Sequence, residues 1–231
     1  MKIKLFLLSV SIVFTSFKND QKNKNQFTMN LNNYIENEVI NNFNSITEER
    51  KKILQEITEY IQLKVKEKQP IQLVYICTHN SRRSHFGQIW SQIAAHYYQI
   101  DHVKTFSGGT EATAFNPRAV KAIERTGIVI KKNGEQNPKY FLNYAKGKEP
   151  ITCFSKRYDD ALNPKSNFAA IMTCSDADQN CPFVEGADFR IATPYEDPKI
   201  ADNTAKETDK YDERCKQIAT EVFYTFSLIK K

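Results

Sequence analysis

Glycine is scarce in this sequence, at 7 of 231 residues. The chain therefore has few positions for tight left-handed turns, and the adjacent pair Gly108 and Gly109 is read as one of them. Histidine is scarcer still, with 4 residues scattered along the chain, and neither a Cys-x-x-Cys pair nor a His-rich tract occurs. A zinc site is not expected on that pattern, nor is any other metal or cofactor. Long blocks of lysine and arginine are also missing: the net charge is +6 and the basic residues are interleaved with acids. No nucleic-acid partner is expected. The 5 cysteines are an odd number in a chain too long to be a disulfide-stapled miniature, so their chemistry must be read from their spacing and context.

No apolar run reaches the length of a comfortable transmembrane helix. The stretch 5–17 is apolar, follows two lysines and gives way to polar KNDQKNKNQ, which is the layout of a signal peptide. Residues 1–17 are therefore expected to be a signal-like or anchor segment, and 18–30 a linker. A periplasmic or membrane-tethered location follows, with a possible tether through this segment. The alternative is a cytoplasmic protein.

What is present is a change of rhythm. Over 31–69, Leu31, Tyr34, Ile35, Val39, Ile40 and Phe43, then Ile53, Leu54, Ile57, Ile61 and Leu63, recur at helical steps, which predicts a helical extension. Thr47, followed by Glu48 and Glu49, is its internal N-cap. From 70 to 231 strands alternate with helices. IQLVYIC, VKTFS, NFAAIMTC and DFRIAT read as four strands, and 84–98, 116–127 and 208–229 as helices. Such alternation predicts an α/β domain of three layers, a four-stranded parallel sheet with helices on both faces. The segment 130–152 fits no simple unit and is read as an insertion in the form of a hairpin.

Ligands of such sheets bind at the carboxyl ends of the strands. The first strand ends on Cys77, and the loop Thr78-His79-Asn80-Ser81-Arg82 leads to Arg83 and Ser84 at the start of a helix. Backbone N–H groups of a short loop entering a helix can cradle a tetrahedral oxyanion. Arg83 offers a bidentate fork, and the same field favours the Cys77 thiolate over the thiol. Ser84 is a candidate helix cap and donor to that sulfur, and Asn80 a candidate loop brace.

Here the sequence resembles the low-molecular-weight protein tyrosine phosphatase family, whose signature is Cys-x5-Arg-Ser after the first strand. The resemblance implies a general acid in an Asp-Pro of a later loop, and Asp197-Pro198 supplies it. It also implies that MTCSDADQNCP, with six residues between Cys174 and Cys181, holds the resolving pair of the thioredoxin-coupled arsenate reductases within that fold. On that reading Cys77, Arg83, Cys174, Cys181 and Asp197 are catalytic, and Thr78 to Ser84 bind arsenate or phosphate. A thioredoxin-like dithiol is the implied reductant. The resemblance covers about 71–229.

Three departures stand out. Arg82 occupies a position that is often cysteine, His79 replaces a small glycine, and Lys199-Ile200 replaces the aromatic pair of tyrosine phosphatases. Two activities stay open, arsenate reduction by a three-cysteine relay and phosphatase action through a Cys77 phosphoenzyme, beside a module that binds oxyanions without turnover. Cys215 is read as packing, and Cys153 has no role in the scheme.

Overall fold

The computed structural model describes residues 27–231; the signal-like stretch 1–17 and most of the 18–30 linker lie outside them. Helix α1 (Met29–Tyr34) runs on as a π-helical stretch, Ile35–Val39, and a 3-10 stretch, Ile40–Ser45. Helix α2 (Glu48–Lys66) follows, capped as the sequence predicts by Thr47, whose hydroxyl accepts from Arg50 N–H. Its two acids open the first turn and Lys64 and Lys66 close the last, both favourable to the helix dipole. Leu31, Ile35, Val39, Leu54, Ile57 and Ile61 are buried in the main core. These N-terminal helices therefore share one core with the sheet.

The sheet begins with β1 (Ile71–Cys77), and helix α3 (Arg83–Tyr97) carries the chain to β2 (Val103–Gly109). After α4 (Pro117–Arg125) come three antiparallel strands, β3 (Val129–Asn133), β4 (Lys139–Asn143) and β5 (Ile151–Cys153). Strand β6 (Phe168–Met172), the short helix α5 (Ser175–Asn180), β7 (Ala187–Ala192), a 3-10 turn at Pro198–Ala201 and α6 (Glu207–Ser227) complete the chain. The parallel sheet has the order β2-β1-β6-β7, which is the four-stranded architecture expected from the sequence.

Alternation along the strands sorts side chains to the two faces. Leu73 and Tyr75 of β1 and Ala169 and Ile171 of β6 enter the main core with Trp90 and Phe223. Val74, Ile76, Phe168, Ala170 and Met172 face a smaller cluster on the other side. Gly87 in α3 is a packing glycine, since a Cβ there would strike the Tyr75 ring. That close approach also brings the Tyr75 hydroxyl to 2.5 Å from Ser91 Oγ.

Two sequence expectations need correction. The insertion is a three-stranded sheet rather than a hairpin. Only Tyr140 and Leu142 of β4 and the ends of β5 are buried, while β3 is almost wholly exposed, so the apolar alternation that marks a strand is weak. Gly108 and Gly109 are not a turn; they close β2 in register with Ile76 and Cys77. Their lack of side chains serves close packing: a Cβ on Gly109 would lie 2.6 Å from Thr78 O and 2.7 Å from Asn80 N. Among the described residues, no helix is long and apolar enough to cross a membrane.

Candidate active site

Cys77 is the last residue of β1 and is 3% exposed. Its Sγ lies 3.1 Å from Ser84 Oγ. Asn80 Nδ2 donates to that same oxygen at 2.8 Å, so the Ser84 proton is left to point at the sulfur. Asn80 Oδ1 in turn accepts the Lys156 main-chain N–H at 2.9 Å. Asn80 has φ 44°, a left-handed conformation that asparagine tolerates. The sequence placed Ser84 as the helix cap, and the structure differs. Helix α3 starts at Arg83, and Arg82 in the capping position makes no side-chain cap bond. The first-turn N–H groups of α3 thus remain available to another acceptor.

The second half of the loop is buried and held from outside, while Thr78 is half-buried and His79 exposed. Asn80 is fully buried, and Ser81 and Arg82 are at 8% and 9% exposure. Main-chain oxygens take the bracing bonds: Thr78 O accepts from Glu111 N–H, His79 O from Ser155 Oγ and Thr113 Oγ1, and Ser81 O from Asn116 N–H. Among the described residues, none of the main-chain N–H groups of Thr78, His79, Asn80, Ser81 or Arg82 donates to a protein acceptor. A buried N–H without a partner costs about 1–3 kcal/mol, so a run of them marks a place built for an external acceptor.

Arg83 is 9% exposed and holds two partners. Its Nη1 donates to Tyr195 O at 2.8 Å and its Nη2 to Asp197 Oδ2 at 2.8 Å, while the buried Nε has no partner among the described residues. Asp197 also caps the 3-10 turn after it, its Oδ1 accepting from Lys199 N–H at 3.0 Å. Arg82 turns to the other side. Its Nε donates to Tyr211 Oη at 2.9 Å, and its guanidinium lies 3.8 Å from Asp202 and 3.7 Å from Asp197. His79 faces Glu111 at 3.5 Å, and Ser81 Oγ donates to Ala114 O.

The structure brings the second thiol to the loop. Thr78 Oγ1 and Cys174 Sγ are 3.4 Å apart. Cys174 is the N-cap of α5, its sulfur accepting from Ala177 N–H at 3.4 Å. Cys181 stands at the other end of α5 and donates to Phe183 O at 3.4 Å. All five cysteines are thiols, and Cys77, Cys174 and Cys181 share the small cluster beneath one face of the sheet. Tyr158 packs there too, and its phenol is raised first by a hydrogen bond to Cys181 and then by burial. Cys153 and Cys215 sit apart, buried in the main core. Burial pushes each of their thiols up to about 12, which keeps both protonated and unreactive.

No family model matches the chain. Over 127 residues it is 28% identical to arsenate reductase 2 of Staphylococcus epidermidis, a match covering 54% of this chain and 77% of that protein. Over 138 residues it is 28% identical to the arsenate reductase of Bacillus subtilis, covering 58% of this chain and 79% of the relative. The chain is a homologue of these arsenate reductases. Among solved structures, a YwlE mutant from Bacillus subtilis aligns with 70% of this homologue and 99% of its own chain, at 14% identity and a TM-score of 0.48.

Several residues of this homologue's site carry no sequence signal. Tyr195 contributes a main-chain oxygen and Lys156 a main-chain N–H, neither of which depends on residue type. Tyr211 and Asp202 meet Arg82 only because α6 folds back over the loop.

Proposed function

We propose that the chain reduces arsenate to arsenite by a relay of Cys77, Cys174 and Cys181, regenerated by a thioredoxin-like dithiol. One observation carries the reading: the three thiols lie in a single cluster, with Cys174 reaching the Thr78 hydroxyl next to the nucleophile. Arsenate would dock on the unpaired loop N–H groups and on Arg83, displacing the Asp197 carboxylate from the guanidinium. The Cys77 thiolate attacks arsenic and an oxygen leaves as water, with Asp197 as proton donor. Cys174 then attacks Cys77 Sγ. The As–S electron pair stays on arsenic, which departs as arsenite, and a Cys77–Cys174 disulfide remains. Cys181 attacks Cys174, freeing Cys77 and leaving a Cys174–Cys181 disulfide for the external dithiol.

The last exchange makes a geometric demand. Across a helix, residues 174 and 181 lie about 10 Å apart at Cα, whereas a disulfide needs at most roughly 7 Å. Helix α5 must therefore unwind. Its sequence, Ser-Asp-Ala-Asp-Gln-Asn, is mostly poor helix former, and the cap that starts it is the Cys174 sulfur itself. Oxidising that sulfur weakens the cap and releases the helix at the required step.

The second reading is phosphatase action through a Cys77 phosphoenzyme, supported by the same loop, Arg83 and Asp197. The Cys174→Ser variant separates the two. Sustained arsenate reduction with a thioredoxin system should vanish while phosphate-ester hydrolysis persists. Reduction that survives the change rules out the relay, and ester hydrolysis that survives Cys77→Ser rules out the loop as the site.

A further inference from the structure

Behind the anion loop lies a cleft of about 1190 Å³, between the outer edges of β2 and β5 and floored by α3. It takes no part in the chemistry above. Residues Val103–Phe106 of β2 and Pro150–Thr152 at β5 line its two walls. On its floor Gln92 Nε2 donates to Val103 O at 3.4 Å and Gln88 Nε2 to Thr152 O at 3.2 Å. The α3 amides therefore hold the two sheet edges apart and already satisfy a carbonyl on each.

Lys156 lines this cleft, and its setting is unusual for lysine. The residue is only 6% exposed. Its ammonium lies 4.9 Å from the centre of the Phe154 ring, and no hydrogen bond or ion pair from it is present among the described residues. Two of the titratable groups around it are neutral, and the one carboxylate that acts on it, Asp160, makes no ion pair with it. The Cys153 thiol is pushed up to about 12 by burial. His85, fully buried and stacked on Phe115 at 4.0 Å, is held neutral by burial and by Lys156 itself. Asp160 acts on the ammonium only through space, and burial lowers the lysine from its ordinary value. A largely buried ammonium is ordinarily paired with a carboxylate at close range, and none among the described residues pairs with Lys156 directly. Lys104 and Lys148 add positive charge to the lining, against Asp101 and Glu149.

We propose that this cleft binds an organic anion, with a carboxylate or similar group paired to the Lys156 ammonium and an apolar body lying along Val103, Ile151, Phe154 and Leu162. The cleft is somewhat larger than a typical small-molecule site, with room for an extended organic body, and Leu162, 62% exposed, offers apolar surface at its mouth. An inorganic oxyanion alone would leave most of the cleft unfilled. The site is also joined to the anion loop, because the Lys156 main chain donates to Asn80 Oδ1 and its oxygen accepts the Gly109 N–H.

The test uses the full chain and octanoate, with octanol as the uncharged counterpart, by titration calorimetry. Inorganic phosphate is included to occupy the loop after β1. Octanoate should bind saturably, and Lys156→Met should weaken it at least about tenfold while leaving octanol unchanged. Leu162→Asp, at an exposed position, should weaken octanoate without altering the fold. Thermal melting of Lys156→Met should hold or rise, since a largely buried charge with no direct ion pair is removed. The proposal is overturned if octanoate fails to bind the unmodified chain, if phosphate competes it away, if Lys156→Met binds octanoate as well as before, or if that variant melts well below the parent.

Discussion

Arg83 Nη2 lies 2.8 Å from Asp197 Oδ2, so an ion pair joins the loop after β1 to the loop after β7 across the mouth of the candidate site. An oxyanion arriving at Arg83 must replace that carboxylate, and its own charge then leaves Asp197 facing the leaving oxygen. Asp197→Asn keeps the size and removes the proton donor, so turnover should fall by about 10²–10³. Arg83→Lys loses the planar fork, and half-saturation by arsenate or a phosphate ester should rise by at least about tenfold. Steady-state kinetics on both variants checks this. Unchanged turnover in Asp197→Asn would remove the acid from the scheme.

The unwinding of α5 can be watched directly. In Cys181→Ser a single turnover should trap the Cys77–Cys174 disulfide, visible as one cross-linked peptide by mass spectrometry. In the unmodified protein, oxidation should strip amide-exchange protection from residues 175–180. Arg190 opposes that step, pairing with Asp178 at 2.6 Å and donating to the carbonyls of Asp178 and Cys181. Arg190→Ala should accordingly speed formation of the Cys174–Cys181 disulfide by a few fold, since the pair is partly exposed and worth about 1 kcal/mol at most. Protection that is the same in both redox states would show that α5 does not move.

A buried charge network ties the N-terminal helices to Arg83. Arg50 of α2 reaches Glu221 of α6 at 2.8 Å through both Nε and Nη2, and the Tyr195 hydroxyl donates to the same carboxylate at 2.8 Å. The Tyr195 main-chain oxygen is the one that holds Arg83. Glu221→Ala leaves Arg50 without its partner at a site where the two side chains are 14% and 4% exposed. The cost should be about 3 kcal/mol, read as a melting temperature lower by roughly 10 °C, with weaker oxyanion binding as the loop loosens. A change of less than a few degrees would mean that solvent already screens the pair.

His85 predicts an acid-side loss of stability. Burial holds the folded imidazole well below its ordinary value of 6.5, so below that pH the unfolded chain takes up a proton that the folded chain refuses. Stability is thus intact above about pH 6.5 and falls beneath it, by up to about 1.4 kcal/mol per pH unit from this group. Half-buried His96, lowered by burial and by Lys148, adds to the same slope. Denaturant titrations from pH 7 to 5 should show a shallower fall for His85→Gln than for the parent. Parallel curves would assign the whole slope to carboxylates.

Much of the site could be read from residue order. Cys77 at the end of an apolar strand, with Arg83 and Ser84 opening the next helix, follows from local periodicity, because β1 is buried on both faces and α3 presents one apolar side. The four strands of the parallel sheet follow in the same way, whereas their order, β2-β1-β6-β7, is a product of the tertiary fold. The three-stranded sheet was illegible for the opposite reason: β3 is exposed along nearly its whole length, and its Val-Ile-Lys-Lys-Asn carries no alternation.

By itself, then, the sequence determined which side chains could do chemistry and at which strand ends they stand, because period-2 and period-3.6 patterns are local properties of the chain. Only the tertiary structure decided where the long side chains turn. Arg82 leaves the loop for Tyr211, 129 residues away, and the Asn80 amide reaches 76 residues along the chain to the Lys156 main-chain N–H. Those partnerships rest on which surfaces pack together and on main-chain groups common to every residue type, so no local pattern encodes them.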